Sequence, residues 1–248
     1  MATILYEHPL NERIRNYLKL EQLFAQVNNH ISKNILINHQ TFFNALFAIL
    51  NTLERSDIKG DLIKELEKVQ QNLVIWSQAP GIDVSAIEDN LRKTVMLISQ
   101  LKLNTQRWHQ LKEDKLLASL KQRFAIQGGS CSFDLPQLQF WLHQPTIEIE
   151  ADIQRWLDLL ANIKQSLSLS LKFIRQRADF VRINTDSGFY QNSGEGLLLL
   201  RIKVPSDTQH YPCVSGNKRR YSIRFMLPSE KNGQRYSTQA TQFELACC

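Results

Sequence analysis

The segment 215–226, SGNKRRYSIRFM, places four cations, Lys218, Arg219, Arg220 and Arg224, within ten positions of an otherwise strand-like run. Guanidinium and ammonium groups packed this closely do not supply a nucleophile or a general base. They make ion pairs and forked hydrogen bonds to carboxylates or phosphates. If Tyr221 to Phe225 is a strand, its side chains alternate between two faces. Tyr221, Ile223 and Phe225 then turn toward a core, while Arg220, Ser222 and Arg224 share the opposite face. At about 3.3 Å per residue the two arginines stand about 13 Å apart, a spacing suited to an extended acidic ligand.

The charge is unevenly placed along the 248 residues. Ten Lys and Arg against four acids lie between Lys172 and Arg224, a difference equal to the whole formal excess of +6. An apolar content of 43% with 22% charged residues is that of a folded globular protein rather than a disordered chain. The start, MATILYEHPLNERIR, lacks the basic and apolar runs of a secretory signal. The longest aliphatic run, Leu197 to Leu200, is far short of a membrane span. Cys131, Cys213, Cys247 and Cys248 show neither a CxxC pair nor zinc-ligand spacing, so reduced thiols in a cytosolic protein are expected.

Chemistry beyond ion pairing finds little support. No P-loop, GxGxxG, HExxH or GxSxG occurs, and no histidine pair has metal-ligand spacing. The nearest nucleophile candidate is Cys131, after Gly128-Gly129 and before an expected helix. A glycine turn with the thiol packed beneath it is the preferred reading. No enzyme, cofactor or metal is expected.

The elements that must position the basic run divide into two kinds. Residues 10–178 read mostly as helix. Ile14, Tyr17, Leu20, Phe24, Val27 and Ile31 form one stripe, and Phe42, Ala45, Ile49 and Leu53 another. Leu62, Leu66, Val69, Leu73 and Trp76 form a third, stopped by APGID at 79–83. Asp83 or Ser85 is expected to cap a helix with Ile87, Leu91, Val95 and Ile98 inward. One helix is expected over Leu111 to Phe124. Asp134 should cap a short helix ending near His143, and a last helical region covers Ile147 to Arg177, with a bend near Asn162. After residue 180, short β-like runs alternate with Gly, Asn, Pro and Ser, and Asn232-Gly233 predicts a hairpin turn. The expected class is α+β: a helical domain over 9–178 and a smaller antiparallel β-domain over 179–248, joined by an N-terminal strand at 2–7.

Three readings of the basic run compete: a solvated sheet face, a nucleic-acid site, and a receiver for an acidic or mixed-charge peptide. Several stretches bear on the choice. They include YEHPLNERIRNYLKLEQLF (6–24), LIKELEKVQQNLVIWSQAPGID (62–83), LKQRFAIQGGSCSFDLPQLQFWLHQP (120–145), GFYQ (188–191), YPCVSGNKRRYSIRFM (211–226) and FELACC (243–248). In these the chain resembles the ZapD family of cell-division proteins, which bind and bundle FtsZ. The resemblance implies a cytoplasmic homodimer at the division site that binds the C-terminal tail of FtsZ and cross-links filaments, stabilising the Z-ring. It places the tail in a basic pocket near the junction of the two domains. Family arginines fall on Arg220 and Arg224, with Arg219 and Lys218 beside them. A further family arginine falls on Lys115, which keeps charge but loses the planar fork. A family histidine falls on Gln139, which cannot become cationic. The alternative is a basic nucleic-acid-binding accessory protein. Neither nucleic acid nor membrane insertion is implied by the resemblance.

Overall fold

The computed structural model describes residues 2–31, 35–78, 84–103, 107–126, 128–129, 131–231 and 234–248. The fold is α+β, with long helices and smaller antiparallel sheets. It divides into two units, one made of Met1–Leu18 with Leu171–Cys248 and the other of Lys19–Ser170.

The second unit is helical. It contains most of α1 (Glu12–Ile31), then α2 (Ile35–Arg55), α3 (Ile58–Ser77) and α4 (Val84–Lys102). These are followed by α5 (Gln110–Glu113), α6 (Lys115–Phe124), α7 (Pro136–Leu142) and most of α8 (Thr146–Arg175). The three- and four-residue stripes bury as their spacing requires. Leu20, Phe24 and Val27 of α1 are buried, as are Phe42, Ala45, Ile49 and Leu53 of α2 and Leu62, Leu66, Val69 and Leu73 of α3. Aromatic rings fill the centre: Phe43 lies 5.2 Å from Phe42, 5.7 Å from Trp141 and 6.1 Å from Trp156, centroid to centroid.

Several expectations give way here. Trp76, in the last turn of α3, is exposed. In α4 the buried positions are Ile87, Thr94, Leu97, Ile98 and Leu101, and Val95 is exposed. Two successive steps of four residues each advance about 40° beyond a full turn, so Ile87-Leu91-Val95 drifts off the face. Thr94 is tolerated inside because its hydroxyl donates to the Asn90 carbonyl at 2.7 Å. Ser85 lies within α4; Asp83, the APGID stop, Ile31's side chain and the Asn232-Gly233 turn lie outside the described residues. The helix expected over Leu111 to Phe124 is split at Asp114, which is extended (φ −67°, ψ 115°). Its carboxylate caps α6 by accepting from Leu117 N–H at 3.0 Å and also accepts from Trp156 Nε1 at 2.8 Å. Asp134 does not cap α7; Leu135 holds that position. Pro136 lacks an N–H and has a helix-compatible φ, so it takes the first helical position and leaves Asp134 in the 3-10 turn Ser132–Asp134. α8 runs as one helix with no break at Asn162.

The first unit packs two antiparallel sheets face to face. β1 (Thr3–Pro9), β4 (Leu199–Pro205), β8 (Thr241–Cys247) and β2 (Val181–Thr185) form one, in the order β1-β4-β8-β2. The other runs β3-β6-β5, from β3 (Phe189–Ser193), β6 (Arg220–Lys231) and β5 (Tyr211–Gly216), with β7 (Gln234–Tyr236) also on β6. Leu200, Ile202, Val204, Phe243 and Leu245 from the first sheet meet Tyr221, Ile223 and Phe225 from the second in one core. The C-terminal strand is fixed beneath β6, where the Tyr221 hydroxyl and the Cys247 thiol hydrogen-bond at 3.3 Å. Burial, and then this contact, push the Tyr221 phenol far above its usual range. It is a neutral core group.

Candidate functional site

Alternation along β6 decides which side chains are available. Tyr221, Ile223 and Phe225 are buried, and Arg220 and Arg224 are exposed on the other face of the same strand. The neighbouring strands extend that outer face by register. Ser193, Gln191 and Phe189 of β3 stand opposite Arg220, Ser222 and Arg224. Ser215, Cys213 and Tyr211 of β5 stand opposite Ser222, Arg224 and Met226. At the Arg220 end the face is hollowed into an open depression of about 350 Å³ lined by Gln191, Ser215, Asn217, Arg220 and Ser222.

Lys218 and Arg219 form the exposed tip of the β5–β6 hairpin. Asn217 shapes that tip: its side-chain oxygen accepts from Arg219 N–H at 2.8 Å and its own N–H donates to the Arg220 carbonyl at 2.9 Å. The Arg219 carbonyl accepts from Gly194 N–H at 2.9 Å, which fastens the tip to the turn after β3. Four cations are thus carried by one hairpin.

The junction beside Arg224 is built with equal care for backbone bonds. Phe225 N–H donates to the Gly188 carbonyl at 2.9 Å, and the Phe225 carbonyl accepts from Ser237 N–H at 2.8 Å. Both groups of one strand residue point to one flank, so β3 begins where β7 ends, along the same side of β6. Gly188 has φ +63°, and a Cβ there would stand 2.5 Å from the Ser237 carbonyl oxygen, so only glycine allows this meeting. The result sets Phe189 and Tyr236 next to Arg224, whose guanidinium carbon lies 5.1 Å and 5.0 Å from their ring centroids. Among the described residues no carboxylate pairs with Arg220 or Arg224.

Other cations of the basic region serve the fold. Arg175 and Arg201 both bond Glu7, at 2.6 and 3.0 Å, and Lys203 sits 3.7 Å from the centroid of Phe180. In the helical unit, Lys115 is exposed at the first position of α6, held there by the Asp114 cap. Gln139 is half-buried on α7, and its carbonyl bonds His143 Nδ1 at 2.7 Å. Cys131 is half-buried in a turn, its N–H donating to the Gly128 carbonyl at 3.1 Å. A cavity of about 540 Å³ in the helical unit is lined by Phe24, Asn28, Lys93, Gln154, Asp158 and Lys164. Among the described residues there is no cluster of three potential metal ligands, and no helix is long and apolar enough to cross a membrane.

Residues 18–224 match the family model described as ZapD, cell division protein. The chain belongs to the ZapD family. Its relatives include cell division protein ZapD of Yersinia pseudotuberculosis serotype O:1b (strain IP 31758) and of Yersinia pestis (strain Pestoides F). Each is 42% identical over 248 residues, covering 100% of this chain and 98% of the relative. The family and these relatives are described as cell division proteins. On the candidate face, Phe189 and Tyr236 are the residues that sequence reasoning did not single out. Alternation in GFYQ would put Phe189 and Gln191 on one face, but nothing in the sequence says which strand lies beside β3. For Tyr236 the Asn232-Gly233 turn predicts a strand returning beside β6, but it does not give the register that sets the ring next to Arg224.

Proposed function

We propose that this ZapD-family chain binds the C-terminal tail of FtsZ through the outer face of β6 and, as a homodimer, cross-links FtsZ filaments into bundles that stabilise the Z-ring at mid-cell in the cytoplasm. One observation carries the reading: Arg220 and Arg224 share an exposed sheet face and no acidic side chain neutralises them among the described residues. Forked guanidinium donors suit carboxylates on an extended segment. Arg219 and Lys218 on the hairpin tip add to the attraction. Lys115 and Gln139 are carried over from the family likeness, Lys115 as a steering charge and Gln139 as a neutral polar contact. Two sites on a dimer meeting many tails along a filament turn a weak contact into avidity. The catalytic steps of division belong elsewhere; this chain acts as a linker.

The test is co-sedimentation with FtsZ filaments, with and without the FtsZ tail. Arg220→Glu and Arg224→Glu should each abolish tail-dependent co-sedimentation while the protein stays folded. Retained co-sedimentation by either folded variant overturns the assignment. Light scattering should give twice the chain mass of 28.8 kDa; a monomer at micromolar concentration contradicts the cross-linking mechanism. A second reading, nucleic acid, is favoured by exposed rings beside the arginines, which could stack bases. Oligonucleotide binding at physiological salt, abolished by the same substitutions, would favour it.

A further inference from the structure

The outer face of β6 is not uniform along its length. Around Arg220 the lining is polar, from Gln191, Ser215, Asn217 and Ser222. Around Arg224 it is aromatic: Phe189, Tyr236 and Tyr211 are 38%, 43% and 40% exposed, on three different strands. Their exposure is forced by register. Phe189 lies opposite Arg224, and Tyr236 and Tyr211 both lie opposite Met226, so all three project on the arginine side. Two of these rings hold the Arg224 guanidinium within cation–π range.

A ring face attracts the cation without a carboxylate, so the N–H fork remains available to a partner's acid. The same rings offer apolar area that a purely acidic segment could not cover. We infer that Phe189 and Tyr236 are specificity-determining residues, which make the Arg224 end of the face take a segment with a large apolar side chain next to a carboxylate. The Arg220 end then takes a second carboxylate, about 13 Å and four extended residues further along. The face thereby reads the order of the bound segment and rejects uniform acidity. This rests on the tail-binding reading and adds the register of the bound segment.

The experiment measures peptide binding by fluorescence anisotropy on the full chain, using three probes. These are the FtsZ C-terminal tail peptide, the same peptide with its large apolar residues changed to Ser, and an oligoglutamate of equal length. The unmodified protein should prefer the first. Phe189→Thr with Tyr236→Thr, which keeps strand propensity at two exposed positions, should weaken the tail peptide about tenfold and leave oligoglutamate unchanged. The preference should collapse toward unity, and Tyr236→Phe should keep it. If Arg224→Glu abolishes tail binding but the double Thr variant, folded by circular dichroism, keeps the preference, the inference is overturned and tail binding stands. If Arg224→Glu leaves tail binding intact, the tail-binding reading itself fails.

Discussion

Two pairs of arginines in the β unit, drawn from the same basic stretch of sequence, do opposite work. Arg175 and Arg201 converge on the half-buried Glu7. Arg175 donates through Nε and Nη2 to both carboxylate oxygens, and Arg201 also bonds the Arg175 carbonyl at 3.2 Å. That network ties the end of α8 to β1 and β4. Arg220 and Arg224 meet no acid among the described residues; one borders an open polar depression and the other leans on two rings. The lesson is that a charge count locates cations but does not say which are available. A cation with its carboxylate in the fold is structural, and one without is free for a partner.

The sharpest way to break this comparison is to attack the strand that carries the free pair. Phe225 is fully buried behind Arg224, so Phe225→Ala should destabilise by about 3–5 kcal/mol. An unchanged urea midpoint would show that the faces of β6 are reversed. Next in size is Glu7→Ala, which removes the carboxylate shared by two partly buried guanidiniums and should cost about 2–3 kcal/mol, below the fully buried range because all three side chains keep some water contact. Arg220→Glu should shift stability by no more than about 0.5 kcal/mol. If Arg220→Glu destabilises as much as Glu7→Ala, the division into structural and free arginines is wrong.

Salt should separate the same two pairs. Screening lengths fall from about 8 Å at 0.15 M to about 3 Å at 1 M. If exposed cations carry the proposed FtsZ bundling, it should weaken steeply over that range. The melting temperature, which depends on the shielded Glu7 network, should not fall in parallel. Bundling that persists unchanged into 1 M salt would assign the hold to apolar contacts.

The smallest effect concerns protons. Burial, with Arg15 nearby, holds His8 below its ordinary pKa of 6.5, and burial alone does the same for His210, whose ring meets Phe225 edge-on at 5.1 Å. Between the folded and unfolded values the unfolded chain binds more protons, so stability is full above about pH 6.5 and declines as pH falls below it. Urea midpoints at pH 7.5 and 5.5 should differ in that sense, and His210→Gln should reduce the difference. A midpoint that rises on acidification would contradict the burial of both rings.

Local periodicity carried much of this molecule. The α+β class, the buried stripes of α1 to α3 and the alternation that separates Tyr221, Ile223 and Phe225 from Arg220 and Arg224 all follow from spacing, because 3.6- and 2-residue periods are properties of the chain itself. So does the concentration of charge between Lys172 and Arg224. What spacing could not reveal depended on partners distant in sequence. Asp114 caps α6 locally through Leu117 N–H, but its second bond, from Trp156 42 residues away, is invisible to spacing. Arg175 and Arg201 leave the pool of free cations because Glu7, at the other end of the chain, lies on the neighbouring strand. Phe189 and Tyr236 reach Arg224 only because β3 and β7 meet end to end on one flank of β6, where Gly188 lets the two backbones approach. Strand order and register are long-range choices made by the whole core, and they decide which neighbours each arginine has.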